Sequence, residues 1–383
     1  MGSPYLEKDG VTLYLGDCLS VMAALPEASV DSIVTDPPYG LAFMGREWDH
    51  GVPGRPFWEA ALRVAKPGAH LVAFGGTRTF HRLTCGIEDA GWEIRDCLSW
   101  LYGSGFPKSL NGKHGGTALK PAWEPCVLAR KPLDGTVAAN FQKHGTGGLN
   151  IDGCRLGYES EADKASATPQ GRVTSKPSAA IAAEPDAGRD LGRVEFDRPE
   201  QKGRWPANVV LDEEAAARLD AEVGVLQSGK MAGGTMRAAQ GGPGSVCFGT
   251  YGGAATDADT PGDSGGPSRF FYTAKASRSE REEGLENMAP ARRSDGRATD
   301  IENPRLRTSA RKNDHPTVKP VDLMRWLVRL VTPSGGVVLD PFMGSGSTLV
   351  AARREFFQCI GIDLEERYCQ IAKGRLSQNT LQF

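Results

Sequence analysis

Between residues 11 and 102 short β-branched runs alternate with amphipathic stretches, and this alternation restricts the fold more than any other feature. VTLYLGD reads as a strand, CLSVMAAL as a helix and SVDSIVTD as a second strand. FWEAALRVA is a helix that Pro67 and Gly68 stop at KPG, and HLVAFGG is a strand. TFHRLTCGIEDAG is a helix closed by Gly91, and WEIRDCLSWLY is a further strand. Strands separated by helices require right-handed βαβ crossovers, hence a mostly parallel sheet with helices on its faces. The expected fold class is α/β, a doubly wound and mostly parallel sheet.

The texture changes near residue 133. From there to about residue 312 periodicity is weak, and GRWPANVVLD and SRFFYTAKA are the only convincing ordered islands. Much of the excess in the chain's 48 glycines and 25 prolines falls between about residues 100 and 268. So long a stretch of loop reads as a glycine-rich, partly irregular insert. Order returns with HPTVKPVDLMRWLVRLV, a helix with Leu323, Trp326, Leu327 and Leu330 on one face. A strand (GGVVLD), a turn (PFMGSGS), a helix (TLVAARREFF), a strand (CIGID) and a last helix (LEERYCQIAKGRL) follow. The expected division is one domain from 1–132 plus 313–383, interrupted by an insert at 133–312.

A chain of 383 residues can bury a full core as one large domain or two smaller ones. Its formal net charge of −2 excludes a histone-like basic coat but leaves room for a local basic face. The eight cysteines form no C-x-x-C pair, so neither a zinc ribbon, another metal site nor a disulfide framework is expected. Cys85, Cys97, Cys126 and Cys369 fall in segments that read as core. MGSPYLEKDG lacks an apolar leader region, and no run approaches the roughly 18 apolar residues of a membrane span. A cytoplasmic protein without a membrane partner is expected.

Two turns carry the chemistry. In DSIVTDPPYG a strand ends in an acid, two prolines and an aromatic ring, a corner stiffer than a turn requires, because proline fixes φ and lacks an N–H. In VVLDPFMGSGST a strand ends at Asp340, Gly344 and Gly346 flank Ser345, and a helix begins near Thr348. Glycine allows close backbone approach to a ligand, and a helix N-terminus presents N–H groups and a positive dipole end. The next strand ends at Asp363, where doubly wound nucleotide-binding folds place an acid on ribose hydroxyls. The pair reads as a pocket for an adenosine-like cofactor. GSGSTL lacks the third glycine of a dinucleotide loop and the lysine of a P-loop, which disfavours dehydrogenase and ATPase readings.

DPPY, DPFMGSGST and the preceding HPTVKP together resemble the S-adenosylmethionine-dependent DNA amino-methyltransferases, in the order of their beta group. The resemblance covers the two outer zones and implies a class I, Rossmann-like, circularly permuted fold, with the catalytic and cofactor-binding domain at 1–132 plus 313–383 and target recognition at 133–312. It implies that Asp36, Pro37, Pro38 and Tyr39 are catalytic. Asp36 and the Pro37 carbonyl would accept hydrogen bonds from the target amine, Pro38 would help hold that carbonyl still, and Tyr39 would stack on a flipped-out base. It implies cofactor contacts by Asp17, Asp340, Pro341, Phe342, Gly344, Ser345, Gly346, Thr348 and Asp363, with His315, Thr317 and Lys319 holding the methionine part. For Asp17 and Asp340 a helix-capping role is the alternative, and for HPTVKP a helix-entry turn.

Residues 291 to 312 carry seven Arg or Lys against three acids, so Arg292, Arg293, Arg305, Arg307, Arg311 and Lys312 are candidates for phosphate contact, with a solvated charged linker as the alternative. Trp123, Trp205, Phe270, Phe271 and Tyr272 are candidates to fill the gap left by a flipped base, with core packing as the alternative. An Asp at the start of the tetrad usually accompanies N6 of adenine in the family, and N4 of cytosine is the alternative. Double-stranded DNA is the implied partner, a homodimer fits what relatives do, and a cognate restriction enzyme and action as a solitary modifier are both open. RNA or protein-glutamine methylation, a catalytically degenerate nucleic-acid-binding module and a nicotinamide-linked oxidoreductase are the competing readings.

Overall fold

A computed structural model describes residues 3–41, 51–105, 113–167, 202–228, 263–275, 279–290 and 311–377. β1 (Leu6–Lys8) and β2 (Val11–Leu15) form an antiparallel hairpin. Asp9 and Gly10 both have positive φ there, the conformation a two-residue hairpin needs. The first zone continues with α1 (Cys18–Ala24), β3 (Val30–Thr35), α2 (Arg55–Val64), β4 (Ala65–Phe74), α3 (Phe80–Asp89), β5 (Glu93–Leu101) and β6 (Trp123–Arg130). The middle zone holds α4 (Val137–His144), α5 (Glu161–Ala167), β7 (Val209–Asp212), α6 (Glu213–Val223), β8 (Leu226–Ser228), β9 (Asp263–Gly265) and β10 (Tyr272–Ala274). The chain closes with α7 (Val321–Val331), β11 (Val337–Asp340), α8 (Ser347–Arg354), β12 (Gln358–Asp363) and α9 (Glu366–Leu376).

Ten strands form one sheet in the order β1-β2-β12-β11-β3-β4-β6-β5-β7-β10. Only β1 and β6 run antiparallel to their neighbours, so the sheet is mostly parallel and the α/β class is the observed one. β11 and β3 lie side by side, with Val338 opposite Ser32 and Leu339 opposite Ile33. From β11 the chain continues to β12 on one side, and from β3 to β4 on the other. The strand order therefore reverses between β11 and β3, and such a reversal opens a crevice at the carboxyl ends of the strands.

Apolar layers cover both faces of the sheet. One contains Leu13, Val34 and Phe74 with α7, and the other packs Ile33 and Leu71 against Trp58, Leu83 and Ile87 of α2 and α3. α7 buries Leu323, Trp326, Leu327 and Leu330, the residues its spacing places on one face, and also Val321, Met324, Val328 and Val331. Each such side chain contributes about 1.5–3 kcal/mol on burial.

The structure departs from the sequence expectations, or adds to them, at five places. Helix α2 ends at Val64, and Lys66, Pro67 and Gly68 belong to β4, where a register irregularity between Val30 and Ser32 accommodates them. WEPCVLAR forms an interior strand, β6, despite Pro125. β7 and β10, from the expected insert, extend the main sheet beyond β5. Cys85 and Cys97 are exposed, whereas Cys126 and Cys369 are buried. Trp205 is exposed too, whereas Tyr272 stacks on Trp326 with centroids 5.3 Å apart.

The chain divides into two compact units: Met1–Cys154, Pro206–Arg218 and Phe271–Phe383 in the larger, Arg155–Trp205 and Leu219–Phe270 in the smaller. Within the smaller unit β8 pairs antiparallel with β9. Arg204 binds Asp163 at 2.5 Å, Arg269 binds Asp263 at 2.8 Å, and both guanidinium groups lie over the Phe270 ring. No helix among the described residues is long and apolar enough to cross a membrane.

Candidate active site

The carboxyl ends of β3 and β11 are tied together by a buried hydrogen bond from the Thr35 hydroxyl to Asp340 Oδ1, at 2.6 Å. The DPPY corner leaves the first tip and the glycine turn leaves the second. Segments three hundred residues apart in sequence thus begin at adjacent strand ends.

The glycine turn is shaped by backbone conformation. Gly344 and Gly346 have φ of +50° and +77°, in the left-handed region that favours glycine. A Cβ on Gly344 would lie 2.5 Å from His315 Nε2, and one on Gly346 would lie 2.9 Å from Ala372 Cβ. His315 therefore seats directly on the turn, with its ring edge-on to Tyr368 at 4.6 Å. Thr317 is exposed, and its N–H donates to His315 Nδ1 at 3.4 Å. Behind the turn the buried Arg375 donates to the Ser345 carbonyl at 2.8 Å and the Ser347 hydroxyl at 3.1 Å. Pro341 is buried, and Phe342 packs its ring 5.9 Å from Phe57.

Two acids border this turn. Asp363, at the tip of β12, accepts from Gly344 N–H at 2.9 Å and Glu365 N–H at 2.8 Å. Burial nevertheless pushes its carboxyl up to about 7. Burial likewise raises Asp340 to about 6, against hydrogen bonds from Thr348, Thr35 and the Phe342 N–H. Asp17 caps α1, accepting from the Ser20 N–H at 2.8 Å, while Gly16 beside it donates to the Asp363 carbonyl at 2.9 Å. A turn shaped by two glycines next to a carboxylate able to take hydroxyl hydrogen bonds fits an adenosine-bearing group.

The DPPY corner forms a charged cluster with Lys319 and Glu124. The buried Lys319 ammonium lies 2.9 Å from Asp36 Oδ2, 3.0 Å from Glu124 Oε2 and 3.1 Å from the Tyr39 hydroxyl. That hydroxyl donates to Asp36 Oδ1 at 2.7 Å. Burial raises the Asp36 carboxyl, with Lys319 opposing the shift and Glu124 adding to it. Burial works against the charge of Lys319, but Asp36 and Glu124 outweigh it and hold the ammonium above the ordinary lysine value. Burial, with the same two carboxylates, raises Tyr39 well above the ordinary phenol value, so its proton stays on.

The predicted catalytic and cofactor residues thus gather in two neighbouring groups, the DPPY corner and the glycine turn. Lys319 stands at Asp36. Its side chain reaches inward from the segment before α7, whereas His315, four residues earlier, covers the turn. Of the basic residues, Arg311 is exposed and Lys312 donates to the Glu286 carbonyl at 2.8 Å. Arg292, Arg293, Arg305 and Arg307 lie outside the described residues. Sequence reasoning missed Glu124, Arg375 and Thr35. A lone acid inside the apolar run WEPCVLA was the available signal for Glu124; the other two gave none.

The family model described as a DNA methylase, covering the N6 and N4 enzymes, matches residues 30–374. Two curated relatives are the Type II methyltransferases M.ScaI of Streptomyces caespitosus, 40% identical over 70 residues, and M2.DpnII of Streptococcus pneumoniae, 47% identical over 62 residues. These alignments cover 18% and 16% of this chain, and the chain spans 23% of the length of each relative. A solved structure titled as the cytosine-N4-specific PvuII DNA methyltransferase is 13% identical, with 99% of this chain and 90% of that one covered and a TM-score of 0.48. With most of its length matched by the family model, the chain belongs to the N6/N4 DNA methylase family.

Proposed function

We propose that this chain is a beta-group DNA methyltransferase that moves a methyl group from S-adenosylmethionine to the exocyclic N6 of adenine in a flipped-out base. The observation that carries the reading is the Thr35–Asp340 junction, which starts the DPPY corner and the glycine turn from adjacent strand tips at the sheet's reversal point. S-adenosylmethionine, when bound, supplies an electrophilic methyl on its sulfonium. Asp363 accepts the ribose hydroxyls, with Asp17 beside it on the same edge. The turn at Gly344, Ser345 and Gly346 presents the start of α8 to the methionine part. His315 and Thr317 border that part, and Asp340, Pro341, Phe342 and Thr348 shape the turn.

Asp36 and the Pro37 carbonyl accept hydrogen bonds from the target amine, whose lone pair is otherwise delocalised into the ring. Adjacent prolines limit reorganisation of that carbonyl during transfer, and alignment of donor and amine does the rest. Tyr39 offers its ring to the flipped base, offsetting part of an extrusion cost of a few kcal/mol. The Asp that opens the tetrad favours adenine. N4 of cytosine is the second reading, because both amines present the same donor geometry. Basic residues at 291–312 contact phosphates, and residues 133–312 contribute target recognition.

Long-read sequencing of DNA from a host expressing the chain tests this directly. N6-methyladenine at one short recurring site is expected, absent when Asp36→Ala is expressed instead. N4-methylcytosine would replace the base assignment. Unmodified DNA in an expressing host would overturn the DNA reading in favour of RNA or protein as substrate.

A further inference from the structure

We propose that Lys319 is a positioning residue that keeps the Asp36 carboxylate ionised and fixed for the target amine, with Glu124 setting the strength of that effect. The proposal rests on the reading of Asp36 given above and adds two residues to it. Lys319 and Glu124 lie 195 residues apart in sequence, and Glu124 stands on β6, a strand away from β3, so only the fold brings them to the corner.

The geometry uses every donor. An ammonium has three N–H groups, and Lys319 has three acceptors within 3.1 Å: Asp36 Oδ2, Glu124 Oε2 and the Tyr39 hydroxyl. The Phe74 and Tyr39 rings, with centroids 4.9 and 5.4 Å from Nζ, complete its surroundings. Asp36 is held at both oxygens, one by Lys319 and the other by Tyr39. A carboxylate has about four lone-pair sites, so Asp36 retains capacity for an amine N–H in a fixed plane.

Chemistry makes this arrangement more than a salt bridge. A buried carboxyl with no cation beside it takes up a proton, and a protonated Asp36 would lose acceptor capacity where the amine needs it. Glu124 alone would worsen this, since two carboxylates in one buried site do not both ionise readily. Lys319 between them leaves one cation against two carboxylates. The surplus negative charge suits a site that must receive a sulfonium and then stabilise the positive charge arising on the methylated nitrogen. Buried ion pairs are weak devices for stability, so a purely structural reason for this trio is weak.

Every titratable or charged group facing Asp36 enters the pH argument. Among the described residues these are Lys319 ahead of α7, Glu124 and the Cys126 thiol on β6, Tyr39 on the same corner and Asp340 on β11, while Tyr102 just beyond β5 faces Glu124 and Lys319. Lys319 lowers the Asp36 carboxyl and Glu124 raises it. Variants at the two positions therefore shift the acid limb of the rate profile in opposite directions.

The test is the initial rate of methyl incorporation into unmethylated DNA from pH 5 to 9, at saturating S-adenosylmethionine. Wild type, Lys319→Met, Lys319→Arg and Glu124→Gln are compared, with calorimetric binding of S-adenosylmethionine alongside. Lys319→Met should move the acid limb upward by about 1–3 pH units. Its neutral-pH rate should fall by roughly tenfold or more and recover toward wild type at high pH. Lys319→Arg should restore most of the limb, and Glu124→Gln should move it downward. A rate loss in Lys319→Met that is equal at every pH overturns the proposal. If that variant does not fold, Glu124→Gln decides alone: a downward limb supports the proposal, and an unmoved or upward one overturns it. A wild type that binds S-adenosylmethionine yet transfers no methyl to DNA would instead overturn the functional reading on which the proposal rests.

Discussion

In the larger unit the buried charges of Lys319, Asp36 and Glu124 stand at the ends of strands that apolar layers already hold in place. In the smaller unit Arg204, Asp163, Arg269 and Asp263 themselves tie together segments distant in sequence, around a two-stranded pairing. Similar chemistry therefore carries different consequences. Where packing fixes the backbone, a charge can be reserved for binding or catalysis. Where buried guanidinium–carboxylate pairs join distant segments, removing one partner leaves an uncompensated charge, and that is a loss of structure.

The largest expected effect separates the two units. Arg204→Met leaves the buried Asp163 carboxylate without its main partner, at a cost of about 3–5 kcal/mol. Hydrogen exchange should show lost protection at 155–167 and 202–205, while the affinity for S-adenosylmethionine is unchanged. Equal loss of protection in the strands of the larger unit would break the contrast.

Asp36→Asn is the opposite case. Removing a charged acceptor at the reacting amine should lower the methyl-transfer rate by about 10²–10³-fold. The thermal midpoint should stay within a degree or two of wild type. A stability loss as large as the rate loss would place Asp36 in the same class as Arg204.

The smallest effect concerns pH. Burial raises Asp363 from its ordinary value of 3.8 to about 7, so the folded chain holds this proton more tightly than the unfolded chain. Asp363 thus favours the folded state fully below pH 3.8, and that contribution is lost as pH rises toward about 7. Ribose hydroxyls and a sulfonium favour the ionised carboxylate. S-adenosylmethionine affinity, measured by calorimetry, should therefore weaken by up to about tenfold per pH unit below that value. An Asp363→Asn variant should bind more weakly and lose this slope. A pH-independent affinity in the wild type would show that Asp363 does not meet the cofactor as a carboxylate.

The residues themselves determined a good deal. The strand–helix alternation, the stiff DPPY corner and the need for glycine at 344 and 346 are local consequences of side-chain shape and backbone sterics, and all were legible in the chain. So was the buried face of α7, because helical periodicity is a local signal. Other features depended on which strands became neighbours. Pro125 obscured β6, and with it Glu124. β7 and β10 lay in a zone too glycine-rich to suggest membership of the main sheet. Lys319 shares its motif with His315, yet the two side chains serve different groups, a division of labour set by the direction each takes where the segment crosses two strand tips. Local sterics can be read from a handful of adjacent residues. The burial of a lysine between two carboxylates requires partners from two distant segments, and only the packed sheet brings them within hydrogen-bonding distance.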